Sequence, residues 1–120
     1  MDLPRNAFKH ALASGRTQFG AWLMSGAPST AEAMGCSGFD FLVVDMEHVP
    51  IDVPQAIGIL RTVAGTPASA VTRIPWNDPV TVKRVLDAGA QTLMFPFVQD
   101  EHEAARAVAS TRYPPDGIRG

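Results

Sequence analysis

Two kinds of apolar pattern alternate along this chain. Short runs rich in β-branched and aromatic residues read as buried strands. Between them, apolar residues recur every three or four positions, as on the inner face of a helix. The runs "TQFGAWLMS" (17–25), "FDFLVVD" (39–45), "PASAVTRI" (67–74) and "QTLMFPFV" (91–98) predict four strands. A short helix over 5–14, stopped by Gly15, precedes the first of them. A helix opened by Pro28 and halted near Gly35 and Gly38 follows it. Further helices are predicted over 52–65, 77–90 and 100–113, and 114–120 reads as loop. Asp52 and Asp78, each shortly before a proline, stand where N-caps belong, and Gly89 stands where a helix exit belongs.

The order is thus one helix followed by four strand–helix pairs. Strands apolar on both faces, each followed by a helix, predict a parallel sheet covered by helices. A doubly wound open sheet and a (β/α)8 barrel both satisfy that pattern. The first strand–helix turn reads "SGAPST" and lacks the G-x-G-x-x-G that would mark a dinucleotide-binding open sheet. Four βα units are half of a (β/α)8 TIM barrel, which usually takes about 250 residues. The expectation is therefore an α/β fragment: residues 1–120 as the N-terminal half of a single barrel domain. A complete small open-sheet domain is the alternative.

Composition narrows the class. Apolar residues are 46% and charged residues 18%, enough apolar content for a packed core in 120 residues. Net charge is −2 with no Lys/Arg cluster, so no nucleic-acid or anionic-membrane partner is expected. No apolar run approaches the roughly 18 residues of a membrane span, and the start lacks the apolar core of a signal peptide, so a cytoplasmic location is expected. Cys36 is the single cysteine, which excludes an intrachain disulfide; it reads as a small buried residue near a helix end.

Ligands of parallel α/β folds sit at the carboxyl ends of the strands. There the sequence places Trp22, Met24, Ser25 and Gly26 after strand 1, and Asp45, Glu47 and His48 after strand 2. Arg73, Trp76 and Asn77 follow strand 3, and Pro96 and Gln99 follow strand 4. Acid, imidazole and cation meet on one rim. An imidazole beside a carboxylate is a general base near neutral pH, and a guanidinium stabilises a developing oxyanion. That pair suits proton abstraction next to a carbonyl, or C–C cleavage that leaves an enolate. Each residue also has a plain structural role open to it: Asp45 and Glu47 as binders of loop amides, Arg73 as a structural partner for one of those carboxylates, Trp22 as core. An electron sink is missing; it must be a metal or a lysine, and neither Lys9 nor Lys83 falls at a strand end.

The stretches "GFDFLVVDMEH" (38–48), "TRIPWNDPVTVKRVLDAGAQTLMFPFVQ" (72–99) and "RYPPDGIRG" (112–120), with a weaker match in "FGAWLMSGAPSTAE" (19–32), resemble the HpcH/HpaI family of class II, metal-dependent aldolases. The resemblance implies a (β/α)8 barrel assembled as a homo-oligomer, a hexamer built from helix-swapped dimers. It implies cleavage or formation of 4-hydroxy-2-oxo acids, giving pyruvate or a related 2-oxo acid and an aldehyde. By the same resemblance His48 matches the base, Arg73 the transition-state-stabilising arginine, and Asp87 an aspartate that raises the basicity of the histidine, presented across a subunit interface. Asp45 matches the other carboxylate near the histidine. Trp22 matches an aromatic lining the aldehyde pocket, and Glu47 is grouped with it on the substrate side. The implied cofactor is a divalent metal (Mg, Mn or Co) whose ligands match no position here and are expected beyond residue 120. Met46 stands where a small residue is common. Two rivals stay open: a CoA-thioester lyase of the citrate-lyase β or malyl-CoA type, which should bring basic residues for the CoA phosphates, and an inactive truncated fragment.

Overall fold

A computed structural model describes residues 5–120. The element order is α1 (Ala7–Ala13), β1 (Gly20–Leu23), α2 (Pro28–Gly35), β2 (Phe41–Asp45), α3 (Val53–Ala64), β3 (Ser69–Arg73), α4 (Pro79–Asp87), β4 (Leu93–Met94) and α5 (Glu101–Thr111). All three strand pairings are parallel, and the sheet order is β1-β2-β3-β4. A doubly wound sheet reverses its strand order at a switch point; a barrel never does. The unbroken order decides between the two architectures that the sequence left open: the chain is an α/β fragment carrying a helix and four βα units of a (β/α)8 barrel.

Strand alternation sorts the side chains onto two faces. Leu23, Leu42, Val44, Met46, Ala68 and Ile74 point to the helices and join Ile59, Val63, Val82 and Val85 in one core cluster. Burying each large aliphatic side chain there contributes about 1.5–3 kcal/mol. The other face carries Trp22, Val43 and Val71 in one register row, and Asp45 and Arg73 in the next. α1 crosses the N-terminal end of the sheet. Its Phe8 ring sits 4.8 Å from Phe41, and the Asn6 side chain donates to the Gln91 carbonyl and the Thr92 hydroxyl.

Helix starts follow local chemistry. Asp78 accepts from the amide and the hydroxyl of Thr81, both at 2.8 Å, and these bonds hold its carboxyl below the usual carboxylate range despite some burial. At Asp52 the backbone amide donates to the Gln55 side chain, closing the first turn of α3. The exits of α2 and α4 need a left-handed residue, supplied by Gly38 (φ +93°) and Gly89 (φ +107°).

Two expectations need correction. The fourth strand, predicted over 91–98, pairs only at Leu93–Met94: Pro96 lacks a donor, and Phe97 turns left-handed at φ 56°. Cys36 is exposed, because it caps α2 on its outer side rather than packing inward. The segment 114–120 is loop, as expected, and it is held against α5 by Ile118 N–H bonded to the Ala109 carbonyl and Arg119 N–H to that of Arg112. Among the described residues no helix is long and apolar enough to cross a membrane.

Candidate active site

The site starts from a register fact. Parallel pairing sets Asp45 at the end of β2 directly beside Arg73 at the end of β3, on the same face. Cross-strand neighbours on one face are close enough for a guanidinium fork to meet a carboxylate edge-on. Arg73 Nε donates to Asp45 Oδ1 at 2.9 Å and Nη2 to Oδ2 at 2.6 Å. The Asp45 side chain has 0% exposure and Arg73 only 19%, so this is a buried bidentate pair.

Asp45 also shapes the chain that follows it. Its Oδ1 accepts the amides of Glu47 at 2.9 Å and His48 at 3.2 Å, so one carboxylate folds the turn that lifts both residues onto the rim. Glu47 then bridges outward. Its Oε2 lies 3.1 Å from Arg73 Nη1, and its Oε1 lies 3.6 Å from His48 Nε2. The His48 side chain is 68% exposed. A connected series therefore runs from the interior to solvent: Asp45, Arg73, Glu47, His48. The Trp22 ring stacks on the guanidinium, with its centroid 4.4 Å from the central carbon of Arg73.

The electrostatics follow from these contacts. Burial alone would push the Asp45 carboxyl up. The hydrogen bonds from Arg73 and from the Glu47 and His48 amides outweigh it and hold the carboxyl below the usual carboxylate range. The Asp45 hydrogen bonds hold Arg73 above its ordinary value against burial, and the charges of Asp45 and Glu47 add to that. Two carboxylates against one guanidinium leave one net negative charge beside the imidazole. Three of the five N–H groups of Arg73 are engaged, which leaves two free for an incoming oxygen.

Of the candidate residues, Asp45, Glu47, His48, Arg73 and Trp22 come together. From its residues alone Trp22 reads as core; in place it is partly exposed and belongs to the rim. Asp87 stands apart. As the last residue of α4, it is joined to Arg119 at 2.6 Å, and no hydrogen bond or ion pair links it to His48. Ser25 accepts the Ala27 amide and the Asn77 side chain donates to the Glu103 carbonyl, both structural tasks. The Arg119–Tyr113 cluster beside Asp87 escaped the sequence reading; the spacing of Gly117 and Arg119 in "PPDGIRG" was the one available signal.

The resident divalent ion implied by the resemblance does not fit these residues by themselves. Among the described residues no group of three His, Cys, Asp or Glu side chains could hold a metal, and both rim carboxylates are turned onto Arg73. A concavity of about 700 Å³ lies at the opposite end of the sheet, lined by Arg5, Phe8, His10, Arg16 and Asp40, and includes none of the rim residues.

The sequence profile of the family described as HpcH/HpaI aldolase/citrate lyase matches residues 18–120. The hydroxypyruvate/pyruvate aldolase of Sagittula stellata is 48% identical over 120 residues, which is 100% of this chain and 47% of that protein. The 5-keto-4-deoxy-D-glucarate aldolase of Salmonella newport is 50% identical over 115 residues, 96% of this chain and 45% of that protein. The crystal structure of a HpcH/HpaI aldolase/citrate lyase family protein from Burkholderia cenocepacia J2315 superposes with a TM-score of 0.92 at 43% identity, over 97% of this chain and 48% of that one. The chain spans about half the length of the curated relatives it matches.

Proposed function

The chain belongs to the HpcH/HpaI aldolase/citrate lyase family, and from that premise we propose that it is the N-terminal half of a barrel enzyme that makes or breaks C–C bonds in 4-hydroxy-2-oxo acids. The products of cleavage are pyruvate or a related 2-oxo acid and an aldehyde. The relatives named as hydroxypyruvate/pyruvate and 5-keto-4-deoxy-D-glucarate aldolases support that substrate class. The observation that carries the reading is the series from buried Asp45 through Arg73 and Glu47 to exposed His48.

In this reading His48 takes the proton of the C4 hydroxyl. The C4 oxygen becomes the aldehyde carbonyl, and the C3–C4 bond pair moves onto the 2-oxo acid as an enolate. The two free N–H groups of Arg73 stabilise the enolate oxygen, and imidazolium returns the proton to C3. Glu47 compensates the positive charge that His48 acquires. Asp45 fixes Arg73 and the rim turn, and Trp22 flanks the aldehyde side. Dependence on a divalent ion (Mg, Mn or Co), a homo-oligomeric assembly and a cytoplasmic location belong to the same proposal for the whole protein. The ion's ligands are not among the residues described. Asp87 would act from a second copy of the chain.

The test is His48→Ala in the full-length enzyme, assayed for 2-oxo acid release from 5-keto-4-deoxy-D-glucarate with Mn²⁺ added. Loss of a general base should lower kcat by about 10²–10⁴-fold, with the thermal midpoint little changed. Near-normal turnover would reject His48 as the base.

A further inference from the structure

We propose that Arg119 is a positioning residue for Asp87, holding an outward-facing carboxylate in place for a group on another copy of the chain. This deepens the reading above and rests on it. Three features of the structure support it.

The first is the poor setting that Asp87 has without a cation. It is the last residue of α4, where the helix presents unpaired carbonyls and partial negative charge. An ionised carboxylate at that end is repelled unless something offsets it. Arg119 does so at 2.6 Å.

The second is how firmly Arg119 is itself held. Its side chain is only 15% exposed, and its guanidinium lies 4.7 Å from the centre of the Tyr113 ring. Its backbone is pinned by Arg119 N–H to the Arg112 carbonyl, and the preceding residue by Ile118 N–H to the Ala109 carbonyl. Gly117 makes this close return possible, because a Cβ there would collide with the carbonyl oxygens of Ala109 and Arg112. The Nε–H of Arg119 is buried without a partner, so the geometry is kept at an energetic cost.

The third is asymmetry. Arg119 binds Asp87 through one oxygen, Oδ1, while the Asp87 side chain stays 58% exposed. A fork that could take both oxygens takes one, and Oδ2 has no hydrogen-bond partner among the described residues. A clamp serving only to tie α4 to the 113–119 turn would gain from the bidentate form. An exposed carboxylate with one oxygen anchored is instead a fixed acceptor, suited to the ring N–H of an imidazole such as His48 of a second copy.

The experiment is a double-mutant cycle in the full-length enzyme, following cleavage of 5-keto-4-deoxy-D-glucarate with Mn²⁺. Asp87→Asn, Arg119→Gln, their combination and Arg119→Lys are compared for kcat, KM and thermal midpoint. If Arg119 acts through Asp87, Arg119→Gln lowers kcat about tenfold with KM little changed, Arg119→Lys recovers part of the loss, and Arg119→Gln adds nothing once Asp87 is Asn. An equal loss in both backgrounds, or a loss confined to KM, overturns the proposal and leaves the role of Asp87 standing. Should Asp87→Asn keep wild-type kcat, both that role and the proposal fall. If Arg119→Gln does not fold, the same cycle is run with Arg119→Lys: a partial loss that vanishes in the Asp87→Asn background supports the proposal, and a loss that persists there overturns it.

Discussion

At the C-terminal end of β2 a carboxylate without solvent exposure grips Arg73 through two hydrogen bonds and two backbone amides through one oxygen. At the N-terminal end of the same strand Asp40 also has an arginine and a backbone amide as partners. There Arg16 approaches at 3.3 Å with most of its side chain in water. That lower end also carries the 700 Å³ concavity. Cavity volume alone would favour the lower end. What sets the rim apart is coupling: each charged group there fixes the next, and the series ends in an exposed imidazole beside an arginine with two uncommitted donors. In water a loose ion pair transmits little, whereas a desolvated one holds its neighbours in place.

The largest test of that difference is Asp45→Ala. It leaves the Arg73 guanidinium buried without its main partner and frees the turn that carries Glu47 and His48. The expected loss in urea-denaturation stability is about 3–5 kcal/mol. A loss below about 1 kcal/mol would put the two ends on an equal footing. Acid should act on the same pair. Because the folded-state value of Asp45 lies below its unfolded value, its contribution is complete above the ordinary carboxylate range and fades as pH falls through that range toward the depressed folded value. Stability measured from about pH 6 to about pH 3 should therefore fall in wild type, with the Asp45 share of that fall missing in Asp45→Asn.

How much of this the sequence carried depends on how local the determinant is. The four βα units and the rim position of Asp45, His48 and Arg73 were legible because strand period and the carboxyl-end rule need only one chain segment at a time. The Asp45–Arg73 pairing was legible only as one option for Arg73, because choosing it rests on the β2–β3 register, a contact across 28 positions. The same holds for Trp22, whose stacking on Arg73 spans two strand crossovers, and for Arg119, which meets Asp87 across 32 positions. β4 was read too long because its apolar run continues past Met94, while the left-handed turn at Phe97 leaves no mark in hydrophobicity. Cys36 was misplaced because apolar character says nothing about which side of a helix end a residue takes.

A smaller effect tests the outer half of the series. Glu47→Gln keeps the shape of the bridge between Arg73 and His48 and removes its charge. If Glu47 compensates imidazolium, kcat for cleavage should fall roughly tenfold, equivalent to about 1.4 kcal/mol of transition-state stabilisation, with the urea midpoint nearly unchanged. A matching loss of stability would recast Glu47 as a structural strut and shorten the functional series to Arg73 and His48.

The smallest expected effect lies at the lower end, and it bears most directly on whether the comparison is real. Arg16→Ala removes the only ion-pair partner of Asp40 among the described residues. Asp40 still accepts the Phe19 amide at 2.9 Å, and its own amide still donates to the Phe19 carbonyl, so the β1–β2 entry stays tied by backbone bonds. An exposed pair of this kind contributes about 0–1 kcal/mol and is screened by salt. The variant should therefore shift the urea midpoint slightly or not at all, with any shift vanishing at high salt, and cleavage should be unchanged. A salt-insensitive loss as large as that of Asp45→Ala would mean that burial does not distinguish the two ends. The rim would then have no better claim to the chemistry than the concavity beneath α1.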